Sequence, residues 1–199
     1  QCQRRLTAAE TREQSLQKMQ AAYEGFGIGI KTVLKAPEYW RENIIGVAAE
    51  LLQVEAKYVT ALETALGEGA QNLVTVDAAT AKSAIAYLKA NNAGRATFLP
   101  LDTVKPRSLS VEEERLATLP GVCGYAVDLV KYDKQAENAI RFLLGRVLIA
   151  ENIDAALAAA KAGKFRIRVV TLEGDVVNAG GSMTGGSRKQ KEGYLSRAK

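Results

Sequence analysis

The residues best placed to do chemistry form the glycine-rich stretch GGSMTGGS at 180–187. Backbone N–H groups of glycine-rich loops can cradle a phosphate, and Gly181 and Gly186 have the GxxxxG spacing of a P-loop. A P-loop continues with Lys and then Ser or Thr, whereas this sequence continues with Ser187 and Arg188. Because the lysine that reaches the β- and γ-phosphates is missing, the stretch does not predict nucleotide hydrolysis.

Two other interpretations of this glycine-rich stretch remain. Glycines on a strand let a second backbone approach without Cβ contact, which suits an interface built by strand pairing. The alternative is a flexible loop, although an ordinary turn does not need four glycines in seven residues. We therefore predict a dimer interface at Gly180, Gly181, Ser182, Met183, Thr184, Gly185 and Gly186.

Catalytic and metal-binding groups are scarce in the sequence. It has no histidine, and its two cysteines, Cys2 and Cys123, lie far apart, which excludes a zinc site and histidine-based nucleophilic catalysis. Asp77, Asp102 and Asp175 each follow a predicted strand and have no evident partner base, so we predict helix caps and turns for them. We expect no catalytic residue, no metal site and no enzyme activity.

A second glycine motif, GFGIG at 25–29, follows a predicted helix. A dinucleotide-binding fingerprint needs GxGxxG between a strand and a helix, so this context predicts a hinge between helix and globular body instead. No run of about 18 apolar residues and no secretory signal is present, so we expect no membrane partner and a cytoplasmic location.

The net charge of +5 is unevenly distributed. Residues 188–199 carry five cations against one carboxylate, while residues 25–187 are neutral overall. Solvated surface charge is the ordinary explanation of basic clusters, but a basic segment beside a neutral body also suits a polyanion. We predict nonspecific DNA binding at Arg188, Lys189, Lys191, Lys31 and Lys35.

The elements that position these residues follow from the residue pattern. Residues 3–24 lack Gly and Pro and predict a helix, and the C-terminal run is also compatible with a helix. Between them, short β-rich runs alternate with helical ones, which predicts a mixed α/β body. A stretch rich in Pro and polar residues at 104–120 predicts a linker between two halves.

An internal repeat supports this division. Residues 46–67 align without gaps on residues 124–145, at a constant offset of 78 with six identities. Duplication explains why the glycines at both ends and the apolar spacing keep register, although two similar amphipathic helices remain the alternative. We therefore predict an N-terminal coiled-coil stub (1–24), subdomain I (25–103), a linker (104–120), subdomain II (121–187) and a C-terminal coiled-coil stub (188–199).

The sequence resembles the hinge domain of bacterial SMC (structural maintenance of chromosomes) proteins. The resemblance rests on GRATFLPLD at 94–102 and VTLEGDVVNAGGSMTGGS at 170–187, and it covers nearly all of residues 25–187. One departure is Asn43, which stands where the family often has the first glycine of a GxxG motif. Another is Ala70, where a larger apolar residue is common. Because Asn tolerates positive φ, we expect Asn43 to keep the turn.

The resemblance implies an α+β hinge of two pseudo-repeated subdomains, flanked by antiparallel coiled-coil stubs, that forms a toroidal homodimer. Such a hinge joins two coiled-coil arms and contacts DNA during chromosome condensation and segregation. The resemblance places ATP and Mg in head domains outside this fragment, which itself needs no cofactor. It also implies kleisin and accessory subunits as partners of the full-length protein, near the nucleoid. The alternatives are a small nucleotide-dependent enzyme that uses the glycine-rich loop, and an inert coiled-coil spacer.

Overall fold

The computed structural model describes residues 26–186 and 193–195. The described α-helices are α1 (Ile28–Leu34), α2 (Val59–Leu66), α3 (Ala78–Ala90), α4 (Val111–Arg115), α5 (Glu137–Leu144) and α6 (Ile153–Ala162). The described strands are β1 (Ile44–Val47), β2 (Leu52–Val54), β3 (Leu73–Thr75), β4 (Phe98–Pro100), β5 (Val122–Tyr125), β6 (Val130–Tyr132), β7 (Val147–Ala150), β8 (Arg168–Thr171), β9 (Val176–Val177) and β10 (Met183–Thr184). The predicted mixture of helices and strands is confirmed.

The internal repeat appears element by element. Strands β1 and β2 and helix α2 recur as β5, β6 and α5 with the same bounds shifted by 78 residues, and two short 3₁₀ helices recur with them. Gly124 has φ +137° at an irregularity in β5, and β1 has the matching irregularity at Gly46. The side chains of Leu51 and Leu129 lie over these two glycines, which explains why both the glycine and the leucine recur.

Three sheets organise the described chain. The first half forms a three-stranded sheet in the order β1-β3-β4, and the second half forms a five-stranded sheet in the order β10-β9-β8-β7-β5. The third sheet joins the halves, because β2 pairs antiparallel with β6 and Gln53 lies opposite Lys131. These two residues are equivalent in the repeat, so a local two-fold axis relates the halves.

Each repeat helix also packs against the sheet of the other half. Helix α2 meets β8, where the Arg168 guanidinium donates to the carbonyls of Thr64 and Ala65 at 3.2 and 3.0 Å. Helix α5 meets the end of β4, where the Asn138 amide donates to the Leu101 carbonyl at 3.3 Å. The main apolar core therefore draws side chains from both halves, including Leu62, Ile140 and Leu148.

The predicted linker is partly helical and firmly attached. Helix α4 begins with a capping box in which Ser110 and Glu113 exchange side-chain and backbone hydrogen bonds. The Glu113 carboxylate also binds both terminal nitrogens of Arg146 at 2.6 and 3.0 Å, and its backbone carbonyl accepts the Tyr125 hydroxyl. Along the chain, the strands of the three-stranded sheet precede this segment and those of the five-stranded sheet follow it. The proposed domain boundaries stay a prediction.

Two glycines of GFGIG, Gly27 and Gly29, contact the globular body, whereas Gly25 lies outside the described residues and the hinge stays a prediction. Gly29 lies inside α1, and a Cβ there would overlap the backbone carbonyl of Arg95, so glycine is needed for close helix packing. The N–H of Gly27 donates to the Gln71 side chain at 3.1 Å. Asn43 ends a 3₁₀ helix without the expected positive φ, whereas its counterpart Gly121 has φ +74°. The carbonyls of both residues still accept equivalent N–H groups, from Val76 and from Glu151.

The predicted coiled-coil stubs lie mostly outside the described residues. All of 1–24 does so, and of 188–199 only residues 193–195 are described, in a turn. The ring of Tyr194 stacks on Phe26 with centroids 5.4 Å apart, and Leu195 is buried. The returning chain therefore passes beside the start of α1.

Candidate functional site

The predicted interface residues lie at one end of the five-stranded sheet, on the hairpin of β9 and β10. Asn178 and Ser182 close the turn: the Asn178 N–H donates to the Ser182 carbonyl at 2.8 Å, and their side chains are hydrogen-bonded. Gly180 and Gly181 take φ +87° and +95° inside this turn, a region that favours glycine. These two glycines therefore form the turn rather than the strand edge.

Strand β10 is the outermost strand of the sheet, and no other strand of the described chain pairs with its outer edge. Its register places Met183 opposite Val177. Hydrogen-bonded and non-hydrogen-bonded pairs alternate in antiparallel strands, and Asn178 and Ser182 are a bonded pair. The N–H and C=O of Met183 therefore point away from the sheet, and its side chain is 52% exposed.

The end of β10 is held by Asp175. The Gly186 N–H donates to the Asp175 carboxylate at 3.2 Å, and a Cβ on Gly185 would overlap the same oxygen. The approaching group that requires glycine at 185 is therefore a side chain of the same chain, not a partner backbone. A carboxylate at this position also repels phosphate, which argues against a nucleotide cradle.

The first half has no described hairpin equivalent to β9 and β10, and the residues of one turn explain the difference. The turns at 100–103 and 171–174 are equivalent, and in each the fourth residue donates its N–H to the carbonyl of the first. In the second half the Thr171 N–H then bonds the Asp175 carbonyl, and Gly174 has φ +91°. Pro100 lacks that N–H and Thr103 is not glycine, so the chain turns into the linker instead.

Strand β4 consequently has an outer edge that no strand of the described chain covers. Leu73 donates to the Thr97 carbonyl and Leu101 donates to the Thr75 carbonyl, so alternate residues of β4 face β3. The intervening Phe98 directs its N–H and C=O away from the sheet. The outer edges of β10 and β4 thus each present one backbone donor and one acceptor, on Met183 and on Phe98.

Beneath the hairpin, a groove runs between the sheet and the end of α2, and it is lined by Thr64, Gly67, Arg168, Val176 and Gly185 among others. Burial lowers the pKa of the Arg168 guanidinium from its ordinary value. The Arg168 Nε is buried and has no hydrogen-bond partner in the described part of the chain. Arg168 therefore fixes the first-half helix α2 beneath the second-half hairpin.

The predicted DNA-binding residues are only partly described. Lys31 lies half-buried in α1 and Lys35 is exposed at its C-terminal end. Arg188, Lys189 and Lys191 lie outside the described residues. The stacking of Tyr194 on Phe26 brings the returning chain close to the helix that carries the two lysines.

The three predicted capping or turn carboxylates all accept backbone N–H groups. Asp77 caps α3 through the Thr80 N–H, and Asp102 accepts the Ala78 N–H at 2.9 Å. Over residues 26–186 and 193–195, no cluster of three His, Cys, Asp or Glu side chains is arranged to hold a metal ion. No helix in these ranges has the length and apolar character needed to span a bilayer.

The fold, the two-fold repeat and the open edges together characterise a dimerisation hinge. Residues 41–160 match the family model described as "SMC proteins Flexible Hinge Domain". The chain belongs to the SMC hinge family.

The chain is similar to SMC proteins both in sequence and in structure. The chain is 47% identical over 188 residues to the chromosome partition protein Smc of Bacillus subtilis, covering 94% of this chain and 16% of that protein. An asymmetric dimer of the Geobacillus stearothermophilus SMC hinge domain is 44% identical with a TM-score of 0.83, covering 96% of this chain and 77% of that one. The Pyrococcus furiosus SMC hinge domain is 32% identical with a TM-score of 0.66, covering 87% and 88%.

Sequence reasoning missed two residues of this site, Phe98 and Arg168, and it predicted Asp175 only as a cap or turn carboxylate. The ungapped repeat could not indicate the open edge at Phe98, because the equivalence of Pro100 and Thr171 has an offset of 71 instead of 78 and follows from the strand register. Arg168 carried no sequence signal, because its partners, the carbonyls of Thr64 and Ala65, lie on helix α2 in the first half.

Proposed function

We propose that this chain is the homodimerisation hinge of a chromosome-organising SMC ATPase, in which it joins two coiled-coil arms and contacts DNA. The observation that carries the proposal is the outer edge of β10, with the outward backbone groups and exposed side chain of Met183. An exposed strand edge either is protected or recruits another chain, and this edge has neither lysine nor proline to protect it. The Geobacillus hinge is a dimer, which supports self-association.

The acceptor of this edge is β4 of a second copy. Met183 and Phe98 each present one N–H and one C=O, so antiparallel pairing of the two residues forms two hydrogen bonds. Because each chain has one β10 edge and one β4 edge, a two-fold dimer contains this contact twice and closes as a ring. The proposed interface therefore comprises residues 180–186 of one copy and the outer edge of β4 of the other.

The first experiment changes the edge without changing the core. Met183→Lys places a charge at the centre of the β10 edge, where the side chain is exposed in the monomer. We expect a folded chain by circular dichroism whose dimer dissociation constant, measured by sedimentation, rises roughly 100-fold, about 2.7 kcal/mol. Ile85→Lys on α3 adds the same charge at an exposed apolar position and should leave the dimer intact. An unaltered Met183→Lys dimer would contradict the interface.

Gly186 is a better second target than Gly185. A side chain at 185 would displace Asp175 within the same chain, whereas a Cβ at 186 would meet nothing within 4 Å. The φ of +125° at Gly186 still strains any other residue there. A variant at 186 therefore requires its own measurement of folding stability.

The DNA contact assigned to this hinge is nonspecific and involves Arg188, Lys189 and Lys191, with Lys31 and Lys35 nearby. The excess of cations after residue 187 and the passage of residues 193–195 beside α1 support it. Replacing the three C-terminal residues with Glu should remove most of the binding and reduce its salt dependence. Charge reversal at Lys105, Arg107 and Lys134, three exposed cations elsewhere, is the control. Equal losses in both triple variants would reject the assignment.

The remaining parts of the function belong to the longer protein. This chain spans 16% of the length of the Bacillus relative. In the complete protein, ATP and Mg would be bound by head domains, and kleisin and accessory subunits would bind the full-length protein. Action on the chromosome places the complete protein at the nucleoid in the cytoplasm.

A further inference from the structure

The carboxylate of Asp175 has a role that neither the repeat nor the strand pattern explains. Its backbone is fixed on both sides by Thr171, whose N–H donates to the Asp175 carbonyl at 2.8 Å and whose hydroxyl oxygen accepts the Asp175 N–H at 3.0 Å. Thr171 is buried, with 1% of its surface exposed. The Asp175 side chain therefore extends from a rigid base at the open end of the β9–β10 hairpin.

Strand β10 is short and needs support at both ends. In the part of the chain that the structure describes, two ladder pairs join it to β9, Met183 with Val177 and Thr184 with Val176. The Asn178–Ser182 turn holds its beginning, and the hydrogen bond from Gly186 to Asp175 holds its end. A two-residue strand that is held only at its beginning would separate from the sheet easily.

We propose that Asp175 is the positioning residue that keeps β10 on the sheet and so presents the Met183 edge to a second copy. This inference rests on the proposed dimerisation through that edge. It assigns the glycine at 185 a defined purpose, because any Cβ there would overlap the carboxylate oxygen that receives the Gly186 N–H. Asp175 and Gly185 thus act together, because glycine at 185 leaves room for the carboxylate that accepts the Gly186 N–H.

The first test compares Asp175→Ala with Asp175→Asn in the 199-residue chain. The asparagine side-chain oxygen can still accept the Gly186 N–H, whereas alanine cannot. In Asp175→Ala we expect amide exchange at Gly186 and Thr184 to become roughly tenfold faster and the dimer to weaken roughly tenfold. Asp175→Asn should stay within about threefold of the original chain in both measurements.

The second test is a double-mutant cycle with Gly185→Ala. The added methyl group displaces the carboxylate, so Gly185→Ala alone should reproduce the effect of Asp175→Ala on Gly186 exchange. Once the carboxylate is gone, the atom of residue 175 that remains near the methyl group is its Cβ, in ordinary contact at 3.4 Å. The double variant should therefore be no worse than either single variant. Additive effects would overturn the inference.

The outcomes separate this inference from the dimer proposal. Unchanged exchange at Gly186 in Asp175→Ala overturns the positioning role, whatever the oligomeric state. Faster exchange with an unchanged dissociation constant also overturns it, provided that Met183→Lys dissociates the dimer. An unaltered Met183→Lys dimer rejects the edge itself, and the exchange measurement still reports on the hydrogen bond.

Discussion

At the scale of single residues, Glu113 makes the clearest electrostatic contribution in the described chain. Its carboxylate binds Arg146 through two nitrogens and closes the capping box of α4, and its side chain is 12% exposed. Hydrogen bonding to Arg146 is the main reason that the pKa of Glu113 lies below its ordinary value of 4.5. The Tyr125 hydroxyl donates to the Glu113 carbonyl. Burial, and after it the negative charge of Glu113, raises the pKa of Tyr125 to about 12.

This carboxylate predicts an acid dependence of stability. A group whose pKa is lower in the folded state contributes stability above its unfolded pKa, and this contribution is lost as the pH falls through the folded value. The free energy of unfolding should therefore fall below pH 4.5, and Glu113→Gln should make that fall shallower. Urea unfolding at a series of pH values measures it, with the exposed Glu112→Gln as control. Parallel curves for the original chain and Glu113→Gln would contradict the assignment.

At the scale of elements, two turns at equivalent positions of the repeat lead to different structures. Residues 100–103 and 171–174 are closed by the same hydrogen bond, from the fourth N–H to the first carbonyl, yet only the second turn continues into a hairpin. The difference lies in Pro100 against Thr171 and in Thr103 against Gly174, which removes one N–H donor and one residue able to take φ +91°. The asymmetry between the halves, and with it the open edge of β4, follows from these two positions.

Gly174→Ala tests this explanation. Alanine at φ +91° strains the turn, so we expect the variant to lose about 1–2 kcal/mol of unfolding free energy. Thr103→Gly, at the equivalent position of the first half, should change it by less than about 1 kcal/mol, because that turn does not need positive φ. Chemical denaturation measures both, and Glu173→Ala is an exposed neighbouring control. Equal losses at 103 and 174 would show that the turns do not differ as described.

Some elements of the fold were predictable from the sequence, and others were not. Six identities at an offset of 78 predicted the repeat, and the structure has β1, β2 and α2 at that offset from β5, β6 and α5. The pattern of apolar residues could not predict that α2 packs against β8, because a buried helix face does not record which sheet covers it. The pattern also could not show that the Asp175 carboxylate of the same chain requires glycine at 185, and the interface at 185–186 stays a prediction.

At the scale of the whole molecule, the arrangement of edges determines the symmetry of assembly. The two-fold axis between β2 and β6 relates the halves within one chain, but only the second half carries the β9–β10 hairpin. The outer edges of β10 and β4 therefore differ, and pairing β10 of one copy with β4 of the other builds two equal contacts in a dimer. Pairing β10 with β10 would instead build one contact, on the symmetry axis itself, and leave both β4 edges open.

A mixture of two variants distinguishes these arrangements. Met183→Lys disables the β10 edge, and Thr97→Glu places a charge beside Phe98 at an exposed position of the other edge. In the ring, each variant alone loses both contacts and should sediment as a monomer. In the mixture, one contact joins the unchanged Met183 of one chain to the unchanged Phe98 region of the other, and the second contact sets Lys against Glu. We expect a mixed dimer, weaker than the original one, when the two monomers are combined. Pairing of β10 with itself predicts the opposite, because Thr97→Glu alone would remain a dimer and the mixture would gain nothing.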